Sequence, residues 1–189
     1  MFILRRVDPG IHHRRSIRLK SYDYSSPGAY FITICANDRG DFFGEIKNGS
    51  MVLNNFGKIV EFVWNDLPNH NPQISLDVNI IMPNHFHGII IISNNPMIVV
   101  GAGSVGAGSV GAGSEPAPTS TPQKIHGLPE IVRQFKTFSA RHINETRNTT
   151  GKTVWQRNYY EHIIRSGNEI ERIRKYIYNN PRNYKKLSL

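Results

Sequence analysis

Segment 82–92, which reads MPNHFHGIIII, constrains the fold of this chain more than any other stretch of its sequence. A turn-forming Pro-Asn pair leads into a short apolar run rich in isoleucine, which is typical of a buried β-strand. Successive side chains of a strand point to opposite faces of its sheet. We therefore expect His85 and His87 to share one face and Phe86 to point to the other. Two neighbouring imidazoles can form half of a divalent metal site, but two polar residues at a strand end remain the alternative.

The composition limits the partners and the compartment of the protein. The 23 Lys and Arg residues outnumber the 14 Asp and Glu residues, and the formal net charge is +9. This charge favours a polyanionic partner, most commonly nucleic acid, although a basic domain without such a partner is the alternative. The single cysteine, Cys35, excludes an internal disulfide and a cysteine-based zinc site. No apolar stretch has membrane-spanning length and no signal peptide is recognisable, so we expect a cytoplasmic protein with no membrane partner.

Two segments differ in composition from the rest of the chain. Residues 100–114 are three copies of Val-Gly-Ala-Gly-Ser, and a segment rich in Pro, Ser and Thr follows them. Such sequence cannot bury enough surface to order itself, so we predict a flexible insert at 99–122 within a single domain, 22–189. Residues 1–21 are interpreted as a basic N-terminal arm that contacts DNA through Arg14, Arg15 and Arg18, with a solvated tail as the alternative.

The periodicity of apolar residues predicts an alternation of strands and helices. The expected elements are a strand at 30–36, a hairpin at 42–53 around Asn48-Gly49, a helix from Asn54 or Asn55 to about residue 67, strands at 74–82 and 86–92, a helix at 128–144, an extended block at 155–165 and a helix at 168–179. Pro68 and Pro181 are expected to lie beyond the ends of their helices. This order predicts an α+β, ferredoxin-like split βαβ fold, with an antiparallel sheet and helices on one face.

The final helix contains a second group of candidate residues. Its apolar residues recur at helical spacing and define a buried stripe: Ile170, Ile173 and Ile177. Tyr176 and Asn180 fall one turn apart on a flank of that stripe, whereas Tyr178 points away from it. A tyrosine at this edge, beside an amide and several cations, is placed to act chemically, although most tyrosines at helix edges are structural.

Three motifs together resemble those of the REP-associated tyrosine transposases, relatives of the single-tyrosine insertion-sequence transposases. The motifs are MPNHFHG at 82–88, WQRNYYEHIIR at 155–165 and YIYNNP at 176–181. The resemblance covers about residues 20–98 and 124–186. It implies an HUH nuclease fold in which His85 and His87 bind a divalent metal, Tyr176 is the nucleophile, and Asn180 completes the metal shell.

The same resemblance implies cleavage and strand transfer of single-stranded, hairpin-forming repeat DNA through a covalent 5′-phosphotyrosine. Two neutral imidazoles and an amide would hold Mg²⁺ or Mn²⁺ weakly and exchangeably. Arg133, Lys136 and Arg172 are further candidates for DNA contacts, with a solvated helix face as the alternative. The protein is expected to be a monomer or a homodimer. A catalytically inactive DNA-binding regulator of the same fold, or an HUH replication initiator or relaxase, are the alternative functions.

Overall fold

The computed structural model of the chain describes residue 19 and residues 21–37, 40–93 and 126–184. Its strands are β1 (Gly28–Cys35), β2 (Gly44–Lys47), β3 (Ser50–Leu53), β4 (Ile74–Met82), β5 (His85–Ile92) and β6 (Tyr160–Ile164). Its helices are α1 (Asn55–His70), α2 (Leu128–Thr146) and α3 (Gly167–Asn183). Within these described ranges, no helix is long and apolar enough to cross a membrane.

The main sheet has four antiparallel strands in the order β4-β5-β1-β6. Helix α1 connects β1 to β4, which lie on either side of β5, and α2 connects β5 to β6, which lie on either side of β1. These two split βαβ units give the ferredoxin-like arrangement. The predicted fold class, α+β with an antiparallel sheet, is confirmed.

Local signals place the hairpin and the start of α1 where the sequence predicts them. Strands β2 and β3 pair as a separate two-stranded sheet, and the turn between them has positive φ angles at Asn48 (51°) and Gly49 (72°). Both central residues of a tight hairpin turn of this hand require positive φ, which Asn and Gly adopt most readily. Asn54 is the N-cap of α1, and its Oδ1 accepts a hydrogen bond from the Gly57 backbone N–H at 3.0 Å.

The helices lie on both faces of the sheet. Helices α1 and α2 cover one face, where Trp64 and Phe135 pack against the large core cluster that includes Phe86. Helix α3 lies against the other face through a smaller cluster that includes Ile173 and Ile177. The expectation of helices on one face therefore holds for α1 and α2 only. The reason is that β1 carries apolar residues on both faces, with Tyr30, Ile32 and Ile34 in the large cluster and Phe31 in the smaller one, so both faces need a cover.

Two helices extend past the points at which proline was expected to end them. Pro68 lies inside α1, and Pro181 lies inside α3, which continues to Asn183. Both prolines occupy the last turn, where a proline removes only one backbone hydrogen bond. Pro181 is also buried, so its packing offsets that loss.

The extended block at 155–165 contains regular strand only in its second half. Strand β6 begins at Tyr160, whereas Trp155 forms an isolated bridge with Ala36. Trp155 is buried in the large core cluster, and its indole N–H donates to Ser139 Oγ at 2.9 Å. Trp155 is therefore a residue of the hydrophobic core.

Candidate metal and nucleophile site

Strand β5 places the two histidines of the MPNHFHG motif side by side. His87 lies opposite Thr33 of β1, His85 lies opposite Cys35, and the two imidazole rings are 4.6 Å apart between centroids. Phe86 points to the other face of the sheet, where its ring lies 4.6 Å from that of Trp64. The predicted alternation of side chains along this strand is confirmed.

The glycine of the motif allows this packing behind the histidines. A Cβ on Gly88 would lie 2.7 Å and 2.8 Å from two atoms of the Trp64 indole ring. A side chain at this position would push Trp64 and α1 away from the sheet. Gly88 thus has a structural reason to follow His87 in the motif.

The two imidazoles use the same nitrogen for contacts within the protein. His85 Nδ1–H donates to Asn84 Oδ1 at 2.7 Å, and His87 Nδ1 shares a hydrogen bond with Thr33 Oγ1 at 2.8 Å. His87 Nε2 is buried and has no hydrogen-bond partner in the part of the chain that the structure describes. An unpartnered buried imidazole nitrogen is a feature that a metal ligand would explain.

Burial keeps both imidazoles neutral at physiological pH. Desolvation lowers the pKa of His85 to about 4, and a hydrogen bond with the Asn180 side chain opposes this shift in part. Desolvation, followed by repulsion from His85, lowers the pKa of His87 to about 3. Because neutral imidazole is the form that binds a metal, both rings are ready to donate a lone pair at pH 7.

Helix α3 places Tyr176 next to His87. Ile173 and Ile177 pack against Phe31 of β1, and the Tyr176 ring then lies 5.4 Å from the His87 ring between centroids. Tyr176 is 44% exposed, whereas Tyr178 is 73% exposed. The side chain predicted to flank the buried stripe therefore lies beside an imidazole, and the one predicted to face solvent does so.

Two polar contacts hold α3: one caps its N-terminus, and the other joins the helix to strand β4. Ser166 is its N-cap and accepts a hydrogen bond from the Glu169 backbone N–H at 3.2 Å. Arg174 Nε donates to both carboxylate oxygens of Asp77 in β4, at 3.1 Å and 3.2 Å. Hydrogen bonding by Arg174 holds the pKa of Asp77 below its ordinary value. The Arg174–Asp77 pair therefore links α3, the helix that carries Tyr176, to strand β4 of the sheet.

The donor set fits a divalent ion held by few protein ligands. His85 and His87 offer neutral nitrogens, and the Asn180 amide lies in hydrogen-bond contact with His85. Among the described residues, no group of three or more His, Cys, Asp or Glu side chains is arranged to hold a metal. Two imidazoles and one amide would leave about half of the positions of an octahedral ion for water or a DNA phosphate, as Mg²⁺ and Mn²⁺ sites commonly do.

The predicted DNA-contact residues are not all brought to this site. Arg133 pairs with Glu130, and Lys136 Nζ donates to the carbonyl oxygens of Gln156 and Arg157 at 2.7 Å and 2.9 Å. Both lie on α2, which covers the face opposite the imidazoles. Arg172 lies on α3 with its side chain 73% exposed and a guanidinium nitrogen 3.9 Å from Glu169. Arg14, Arg15 and Arg18 lie outside the described residues.

Sequence reasoning missed Thr33 as a member of this site. Thr33 and Cys35 alternate with Ile32 and Ile34 in the second half of β1, so the odd-numbered residues there are the more polar ones. That pattern could have marked the polar face of β1. It could not have shown that Thr33 lies opposite His87, because pairing between distant strands is not a local property.

Comparison with known proteins agrees with this architecture. A family model described as "Transposase IS200 like" matches residues 120–180, which include Tyr176 and Asn180 but not the two histidines. The chain is 43% identical over 181 residues to an uncharacterized protein of Haemophilus influenzae, covering 93% of this chain and 92% of that protein. The fold is similar to the solved structure of a REP-associated tyrosine transposase bound to a REP hairpin. That similarity has a TM-score of 0.55 at 15% identity and covers 88% of this chain and 73% of the other. The protein belongs to the IS200-like transposase family.

Proposed function

We propose that this protein cleaves and rejoins single-stranded, hairpin-forming repeat DNA with Tyr176 as the nucleophile and a divalent ion on His85, His87 and Asn180. One observation carries the proposal: a half-exposed tyrosine lies 5.4 Å from a buried, neutral imidazole whose Nε2 has no protein partner among the described residues. The solved relative of this fold binds a REP hairpin, which supports hairpin DNA as the substrate class.

The chemistry is a transesterification that conserves bond energy. The Tyr176 phenol loses its proton, and its oxygen attacks the scissile phosphorus while the bond from phosphorus to the 3′-oxygen breaks. The departing 3′-oxygen gains a proton, leaving a free 3′-hydroxyl and a 5′-phosphotyrosine. Attack by a 3′-hydroxyl of another strand reverses these steps and frees Tyr176. A bound Mg²⁺ or Mn²⁺ would neutralise charge on the phosphate oxygens.

The residues of this chain hold the reacting groups in place. The packing of Ile173 and Ile177 fixes the backbone that carries Tyr176, and the Arg174 pair with Asp77 resists sliding of α3 along the sheet. A nucleophile held in this way needs little further ordering before attack.

Binding of the DNA is proposed to rely on the basic surface outside the site. Residues 1–21 would act as an arm appended to one domain, 22–189, interrupted by the insert at 99–122. The proposed phosphate contacts are Arg14, Arg15, Arg18, Arg133, Lys136 and Arg172. Because such contacts release counterions, affinity for DNA should fall steeply as salt rises.

The decisive experiment is detection of the covalent adduct. The wild-type protein would be incubated with Mn²⁺ and labelled hairpin oligonucleotides taken from the flanks of its own gene, and then run on a denaturing gel. We expect a band of protein joined to the 5′-phosphate side of the cut, and its loss with a chelator. Tyr176→Phe removes one oxygen and keeps the packing, so it should eliminate the band without loss of folding or DNA binding.

Tyr178→Phe is the matched control, because it changes a tyrosine of the same helix that faces solvent, and it should form the adduct normally. Peptide mapping that placed the adduct on a tyrosine other than Tyr176 would overturn the assignment. Hairpin binding without any adduct under these conditions would favour a non-catalytic DNA-binding regulator instead.

A further inference from the structure

Thr33 contacts His87 from a different strand of the sheet. It lies in β1, directly opposite His87 in the β1–β5 register, and it is 54 positions away in the sequence. Its Oγ1 lies 2.8 Å from His87 Nδ1. Thr33 is half-buried and shares the face of the sheet that carries both imidazoles.

The two ring nitrogens of His87 are in different environments. A neutral imidazole carries one N–H donor and one lone pair, and the partner of one nitrogen decides the role of the other. Nδ1 has the Thr33 hydroxyl, which can accept a hydrogen bond, whereas Nε2 is buried without a hydrogen-bond partner in the described part of the chain. A proton on Nε2 would therefore be a buried donor with no acceptor, which is unfavourable. The contacts favour the proton on Nδ1 and the lone pair on Nε2.

We propose that Thr33 is a positioning residue: it accepts a hydrogen bond from His87 Nδ1–H and so fixes the ring with its Nε2 lone pair available to a divalent ion. This inference rests on the proposed role of His87 as a metal ligand. His85 is held in the same way by its chain neighbour Asn84, whose Oδ1 accepts from Nδ1–H. Both rings are thus held at Nδ1, one by the adjacent residue and the other by a separate strand.

Two substitutions of Thr33 distinguish the effect of its hydroxyl group from the effect of its side-chain shape. Thr33→Val keeps a β-branched side chain of similar volume but removes the hydrogen-bond partner of Nδ1. Thr33→Ser keeps the hydroxyl. Ring ¹⁵N NMR of the metal-free full chain reports which nitrogen of His87 carries the proton, independently of any activity. Titration with Mn²⁺ alone, followed by broadening of the His85 and His87 ring signals, reports binding at the site.

We expect the wild-type protein to carry the His87 proton on Nδ1. Thr33→Val should lose this single protonated form and bind Mn²⁺ roughly 10- to 100-fold more weakly, the usual range when the partner of a metal-bound histidine is removed. Thr33→Ser should restore both the NMR pattern and an affinity close to that of wild type.

A wild-type His87 with its proton on Nε2 would overturn the inference whether or not either variant folds. Mn²⁺ binding by Thr33→Val as tight as that of wild type would overturn the inference alone and leave the proposed function standing. Absence of Mn²⁺ broadening at both rings of the wild-type protein would contradict the proposed function itself, and the inference would fall with it.

Discussion

The two faces of the sheet are built for different purposes. On the face covered by α1 and α2, large aromatic residues such as Trp64, Phe86 and Phe135 are fully buried in one continuous core. On the face covered by α3, the apolar cluster is smaller, and two imidazoles and a half-exposed tyrosine lie beside it. The first face supplies most of the apolar burial, which frees the second to carry polar groups.

Each strand contributes side chains to both faces of the sheet, because successive residues point to opposite faces. In β5, Phe86 belongs to the large core while His85 and His87 belong to the site, and in β1, Ile32 and Thr33 are divided in the same way. Because neighbouring residues of a strand point in opposite directions, changes on one face need not disturb the other. Stability and activity should therefore respond to different substitutions.

The largest effect is expected at the imidazole pair. His85→Ala or His87→Ala should abolish DNA cleavage, because each removes a proposed metal ligand, while hairpin binding through the basic surface persists and weakens steeply with salt. His70→Ala is the control, since His70 is an exposed residue of α1 on the other side of the sheet. Cleavage at the wild-type rate by the double alanine variant in the presence of a chelator would show that the metal hypothesis is wrong.

A core substitution on the opposite face should affect stability instead. Phe135→Ala is expected to lower the free energy of unfolding by about 3–5 kcal/mol, the usual cost of removing a buried phenylalanine side chain, as measured by urea denaturation. Phe138→Ala on the same helix should cost much less, because Phe138 is 38% exposed. Equal losses in the two variants would contradict the division between a structural face and a site face.

Lowering the pH should destabilise the protein because His85 and His87 have lowered pKa values in the folded state. Both histidines have a folded pKa, about 4 for His85 and about 3 for His87, below the ordinary value of 6.5. Below pH 6.5 the unfolded chain binds protons that the folded chain does not, so the free energy of unfolding falls as pH falls. Each histidine should contribute a loss of up to about 2 kcal/mol between pH 6.5 and pH 5, from about 1.4 kcal/mol per pH unit.

Urea denaturation in the presence of a chelator at these two pH values measures this loss. The double variant His85→Gln with His87→Gln should lose much less stability than the wild type over the same interval. A decline as steep as that of the wild type would place the acid sensitivity elsewhere in the molecule.

The smallest effect is expected for the insert predicted from the sequence, which lies outside the described residues. Deletion of residues 100–114 should leave the melting temperature and adduct formation nearly unchanged, because a change in loop length alters the entropy of loop closure only slightly. Thermal unfolding of the deletion variant tests this directly. A fall of many degrees would indicate that the segment packs against the domain.

Much of the local structure could be predicted from the sequence. The hairpin turn at Asn48-Gly49, the start of α1 at Asn54 or Asn55 and the limits of β4 follow from neighbouring residues; the structure confirms all three and selects Asn54 as the N-cap. The ends of α1 and α3 could not be predicted from Pro68 and Pro181 alone. A proline in the last turn removes little, so the surroundings decide where such a helix ends.

The sequence by itself determined which side chains share a face: His85 with His87 along a strand, and Tyr176 with Asn180 along a helix. These relations follow from the repeat of a strand and of a helix, which are properties of the local backbone. Only the tertiary structure decided that Tyr176 lies beside His87, that Thr33 contacts the same ring, and that α3 covers the face opposite α1 and α2. The physical reason is that these contacts join segments many residues apart, and they are selected by the packing of the whole sheet rather than by any local pattern.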